Sequence, residues 1–175
     1  MRGYAAGMLT FAEAHAPAVP AADHAEVTRL LALGTPGVIV PPAFEEAFYR
    51  GGNLPEQLRR LFSKVRPARI DEDALEPLAA QAQALIRTSY LMDDAVQAFY
   101  RTLARASFPA GAVVRVRRPD ATLGEDAPFL APGTATLQAM KRVWAQDWTF
   151  DAVLERLDSA GSVALEARST LLHPA

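Results

Sequence analysis

Apolar residues recur along this chain in two rhythms. Val96, Phe99 and Leu103 return every three or four positions, and so do Leu137, Met140, Trp144 and Trp148. That is the spacing of a single buried helix face. Between 112 and 117 the rhythm shortens to two. Val114 and Val116 fall on one side, and Val113, Arg115 and Arg117 on the other, as in a strand. A fully apolar run, GVIV at 37–40, reads as a second short strand, and MLTFAEA at 8–14 and SVALEA at 162–167 read as two more.

The polar and helix-breaking residues punctuate this pattern. Asp23 can cap a helix over 25–33 that Gly34 closes. Pro41 stops the 37–40 strand, and Pro42 suits the first turn of a helix over AFEEAFYR that ends at Gly51–Gly52. Asn53 caps LPEQLRRLFSK. Asp71 opens a helix that runs towards Arg87, with Pro77 as an expected kink. Asp93 or Asp94 starts the next helix. Thr134 caps the tryptophan helix, and DAVLERLDSAG adds a turn or two. The stretch from Pro119 to Gly133 reads as loop. The expected fold class is α+β: a helix-rich single domain with a small sheet. Residues 1–22 form a strand and an Ala/Pro-rich arm, 23–167 the body, and 168–175 a C-terminal tail.

Composition narrows the function classes. A chain of 175 residues, half of them hydrophobic, can bury a substantial core. Net charge is −2, which argues against nucleic-acid binding through bulk charge. With no cysteine there is no disulfide, thiolate metal site or cysteine nucleophile. His15, His24 and His173 lie far apart, so no metal site and no catalytic residue is assigned. No apolar run approaches the ~18 residues of a membrane span, and no secretory signal is read at the N-terminus. The cytoplasm is the expected compartment. Lys64 and Lys141 are the only lysines among 18 basic residues. The group Arg59, Arg60 and Lys64 reads as a solvated helix face.

Three segments in order carry a family resemblance. GVIVPPAFEEAFYR is similar to the "VPPGF…AF" strand and helix at the start of phosphoenolpyruvate synthases. VVRVRRPDATLGEDAPF resembles that family's "VRSSATAED…SF" segment, and TLQAMKRVWAQDWTFDAVLERL the "AVKxxWASLF…RA" helix after it. VALEA resembles a strand that follows. The chain thus resembles the N-terminal domain of phosphoenolpyruvate synthase and pyruvate phosphate dikinase, the first lobe of an ATP-grasp fold. The resemblance implies ATP with magnesium as the ligand. The family arginine falls on Arg117, or on Arg115 with a different gap, and the phosphate-cradling "GGK" loop falls on Ala22, Asp23 and His24. Arg117, Arg115 and His24 are therefore the phosphate-binding candidates.

Where the family has two glycines and a lysine, this chain has Ala22, Asp23 and His24, and His24 carries charge only below about pH 6.5. The two serines after the family arginine become Arg118 and Pro119, and Arg118 is expected to be exposed. The second lobe, which in the family supplies adenine contacts and magnesium carboxylates, is not among these residues. The first expectation is a degenerate half-domain acting as a non-catalytic binding or regulatory protein. The second is a split phosphotransferase subunit, kinase-like, that meets its second lobe in trans. The third, resting only on the arginine clusters, is a stress-related nucleic-acid-associated protein. Self-association through an uncovered half-cleft is a further expectation. Glu125 and Asp126 are read as a loop cap or as ion-pair partners of the arginines. Arg115 and Arg117 are expected to face a concavity, opposite a valine face packed under Phe99 and Trp144.

Overall fold

A computed structural model describes residues 7–14 and 21–175. Five strands form one wholly antiparallel sheet among these residues: β1 (Leu9–Thr10), β2 (Val38–Val40), β3 (Val113–Arg117), β4 (Glu125–Pro128) and β5 (Thr170–Pro174). Their spatial order is β1-β2-β5-β3-β4. Seven helices surround them: α1 (Ala21–Ala32), α2 (Pro42–Gly51), α3 (Leu54–Leu61), α4 (Glu72–Thr88), α5 (Asp93–Arg105), α6 (Thr134–Gln146) and α7 (Phe150–Ala160). The α+β, helix-rich class expected from the sequence is the one observed.

The sheet separates two unequal cores. On one face Val38, Val40, Val114, Val116 and Leu172 join the main core with Phe44, Phe48, Phe99, Met140 and Trp144. Val114 and Val116 are fully buried, because strand alternation turns both valines to the same side. Trp144 anchors this layer, with its ring 5.0 Å from that of Phe48 and its indole N–H donating to Thr170 Oγ1 at 3.1 Å. On the other face, among the described residues, α1 covers the sheet through Val27 and Leu30 on Phe11, Ile39 and Leu171.

Local signals account for several boundaries. Asp71 accepts a hydrogen bond from Ala74 N and caps α4, as its acidic first turn suggests. Pro41 is extended and Pro42 opens α2, where its missing N–H costs no intrahelical bond. Helix α4 continues through Pro77 as one 17-residue element. Helix α1 starts at Ala21, so Asp23 lies in its first turn rather than capping it. Gly133, not Thr134, occupies the cap position of α6.

The structure departs from the sequence pattern at three places. The segment 162–167 is extended but pairs with no strand, and β5 lies further on, within residues 168–175 that were read as a tail. Strand β5 is covered on both faces, by α1 on one side and the main core on the other, so Leu171 and Leu172 lack the alternation that marks a half-buried strand. The body therefore extends to Pro174. Residues 125–128, read as loop, form β4 and pair with β3, Arg115 opposite Asp126 and Val116 opposite Glu125. Gly124 permits that return: a Cβ there would lie 2.1 Å from Val116 O. Finally, Arg118 is not exposed but 6% accessible.

Strands β3 and 37–40 share the sheet as expected, but β5 stands between them, with Val116 and Val38 both opposite Leu172.

Candidate functional site

The three hairpin cations Arg115, Arg117 and Arg118 have three different environments. Arg115 lies on the open part of the α1 side of the sheet and makes a two-pronged ion pair with Asp126 across the strand, both bonds 2.8 Å. Its pairing residue in the register confirms the cross-strand origin of the contact. Asp126 is held below its ordinary carboxylate range by that guanidinium. Glu125, on the opposite side of the pleat, pairs instead with Arg142 of α6 at 3.0 Å.

Arg117 projects from the same face but is buried beneath α1. Each of its three nitrogens is engaged. Nε donates to His173 Nε2 at 2.9 Å, Nη1 to the carbonyls of Arg118, Pro119 and Ala121, and Nη2 to Glu26 of α1. Glu26 also binds Arg29 through two bonds. Arg29 first, and Arg117 with it, hold the Glu26 carboxyl down to about 2 against the opposing effect of burial. His173 accepts from Arg117 at Nε2, so its proton sits on Nδ1, which donates to Pro174 O at 2.8 Å. Burial, and then the facing Arg117 and Arg115, push the imidazole below its ordinary value.

Arg118, on the other side of the pleat, is the hub of a buried network. Its two Nη atoms each donate 2.8 Å bonds to Glu45, whose side chain is fully buried in α2. The same guanidinium reaches Asp147 at the end of α6, Thr170 Oγ1 and the Arg168 carbonyl. Arg168 closes the ring by donating its backbone N–H to Glu45 and its side chain to Asp147. Burial works against the Arg118 charge, but the Glu45 and Asp147 carboxylates outweigh it and push the group upward.

His24 is half-buried on α1, where its Nδ1 meets Thr28 Oγ1 at 3.3 Å. No hydrogen bond joins it to Arg115 or Arg117 among the described residues. The helix that carries it brings Glu26 to Arg117 instead. Arg115 and Arg117 thus share a strand face, while His24 stands apart from both. The residues that sequence reasoning missed are Glu26, Glu45, Asp147 and His173. One of them left a signal: Glu45 lies on the same helical face as Phe44, Phe48 and Tyr49, where an acid must find a buried partner.

Two clefts flank the first turn of α2. The larger, about 560 Å³, lies between α2 and the extended segment 165–167, with Tyr49, Pro55 and Trp148 in its wall. Trp148 donates its indole N–H to Tyr49 OH at 2.8 Å, and Arg156 stacks on Trp148 at 4.8 Å from the ring centre. The smaller, about 330 Å³, is bordered by Asp23, Asp120, Arg168 and Ser169. Neither Arg115 nor Arg117 lines either cleft. Among the described residues no group of three or more His, Cys, Asp or Glu side chains is placed to hold a metal ion, and no helix is long and apolar enough to cross a membrane.

No protein-family model and no curated protein sequence matches this chain.

Proposed function

We propose that this chain is a non-catalytic binding protein built on a lobe of the phosphoenolpyruvate synthase type, in which the cations that would meet a nucleotide have become structural. The observation that carries this reading is Arg117, the candidate for the family arginine. Its nitrogens are occupied by His173, three backbone carbonyls and the Glu26 carboxylate. A triphosphate would have to displace Glu26 and meet its negative charge nearby. The counterpart of the phosphate loop carries Asp23, whose charge opposes a phosphate, and lacks the glycines that let a backbone approach one. Phosphoryl transfer depends on such positioning and on metal bridging of phosphate oxygens.

Calorimetry of the purified chain with magnesium and ATP tests this. The expected result is no saturable heat at millimolar nucleotide and no release of phosphate. Binding at micromolar nucleotide, accompanied by hydrolysis that Arg117→Ala abolishes, overturns the reading and favours the split phosphotransferase.

A further inference from the structure

The register of the sheet explains why the larger cleft exists. Strand β5 pairs with β2 as far as Val40 opposite Thr170. One residue later Pro41 and Pro42 turn the chain into α2. Proline ends a ladder because it has no N–H to donate. The residues that precede Thr170 nevertheless stay extended. From Val163 to Arg168 half-buried and exposed side chains alternate, as they do along a strand. Val163, Leu165 and Ala167 face the protein, and Ala164, Glu166 and Arg168 face outward. This strap is the continuation of β5, and among the described residues no partner line accompanies it on the side where β2 stopped.

Among the described residues, its backbone is correspondingly unpartnered. Among the described residues, none of the N–H or C=O groups of Leu165, Glu166 and Ala167 has a hydrogen-bond partner, on the main chain or on a side chain. These three residues form one wall of the 560 Å³ cleft, and Pro42 and Glu46 of α2 form part of the other. That volume lies within the roughly 300–1,000 Å³ of natural ligand sites. The open space therefore coincides with unpaired strand edge, over a floor of Tyr49, Pro55 and Trp148.

We propose that this cleft binds an extended peptide of a partner protein, which adds to the strap in line with β2 and places alternate apolar side chains on the aromatic floor. Main-chain bonds supply affinity in this mode, and pockets for alternate side chains supply selection. The charge of the rim sets the class of peptide. Glu46 is paired with Arg50 at 2.8 Å, whereas Glu166 is exposed and has no salt-bridge partner among the described residues. The rim carries one net negative charge, so the peptide is basic, with Lys or Arg opposite Glu166. This inference rests on the reading of the chain as a binding protein and names where and what it binds.

The test is selection of a displayed library of random dodecapeptides on the immobilised chain, followed by hydrogen exchange with the enriched peptides. The expected outcome is enrichment of alternating apolar and basic residues, with amide protection at 165–167. Glu166→Lys, an exposed change that leaves the far-ultraviolet spectrum unaltered, should weaken those peptides about tenfold by turning attraction into repulsion. Enriched peptides that protect amides elsewhere, or that ignore Glu166→Lys, overturn the site while leaving the binding-protein reading intact. A library that yields no enriched peptide overturns the site as well. Only nucleotide hydrolysis, measured separately, overturns the reading beneath it.

Discussion

Arg118 and Glu45, 73 positions apart in sequence, meet fork to fork, with two 2.8 Å bonds and the carboxylate fully buried. The pair ties the hairpin to α2, and Asp147 and Arg168 tie both to α6 and to the strap before β5. Isolated charges cannot occupy such a place. Taking one ion out of water costs several kcal/mol after relaxation, so each partner exists there only with the other.

Removing one half should therefore be severe. Glu45→Leu leaves the Arg118 charge buried with Asp147 as its remaining partner and is expected to cost about 3–5 kcal/mol, read from urea denaturation. Glu45→Leu combined with Arg118→Met should recover a large part of that loss, because no uncompensated ion remains at that contact. A double variant as unstable as the single would show that the pair itself, rather than its desolvation balance, dominates.

Arg115 and Arg117 differ by two positions and should differ widely in effect. Arg117→Ala strands Glu26 and His173 without their shared donor and is expected to cost roughly 1–3 kcal/mol. Arg115→Ala breaks an exposed pair and should leave the denaturation midpoint almost unchanged. Equal losses in the two variants would contradict the burial difference described here.

Acid sensitivity should come in two parts. The folded state holds His173 neutral, so its pKa lies below the unfolded value near 6.5. The unfolded chain then binds protons first, and stability present above pH 6.5 falls as pH drops through the folded value. Arg117 and Arg115 of β3, Glu26 of α1 and Asp126 of β4 are the charges around it. Glu26, held at about 2, contributes stability present above about pH 4.5 that is lost on approaching 2. In a denaturation series from pH 7 down to pH 2, His173→Asn should abolish the upper part of the loss and leave the lower part in place.

Gly124 makes the hairpin return possible at a place where any side chain would strike Val116 O. Gly124→Ala should cost about 1–3 kcal/mol by forcing β3 and β4 apart, the range found for overpacking. Thermal denaturation reads the shift, and hydrogen exchange should locate it in residues 113–117 and 125–128.

Alternation is visible only where a strand has two unlike faces. Val114 and Val116 against Arg115 and Arg117 gave such a contrast, and so the valine face was legible. The helix stripe through Trp144 was legible for the same reason, and Pro41–Pro42 marked the end of β2 without ambiguity. Strand β5 had no such contrast, since Leu171 and Leu172 are buried on opposite faces. Strand β4 was hidden because Glu125, Asp126 and Pro128 have low strand propensity, and its pairing is imposed by β3. At the candidate site, sequence spacing placed two arginines on one face but could not supply their partners. Glu26 reaches Arg117 across 91 positions and Glu45 reaches Arg118 across 73. Only the fold makes such pairs neighbours. Without them Arg118, next to a proline in a polar loop, looked exposed.

The order β1-β2-β5-β3-β4 has a consequence for how the protein is made. When a ribosome has released every residue before Thr170, all seven helices and four strands exist, yet those strands form two separate pairs with no common neighbour. Valines destined for one continuous sheet then line two open edges, and the Arg118 network lacks Thr170. Strand β5 follows the other four in sequence and is the keystone, so the sheet closes only through pairings as distant as Val38 with Leu172, and such non-local closure slows folding and prolongs exposure. Until β5 docks, the facing edges of β2 and β3 stay open to any strand offered in its place.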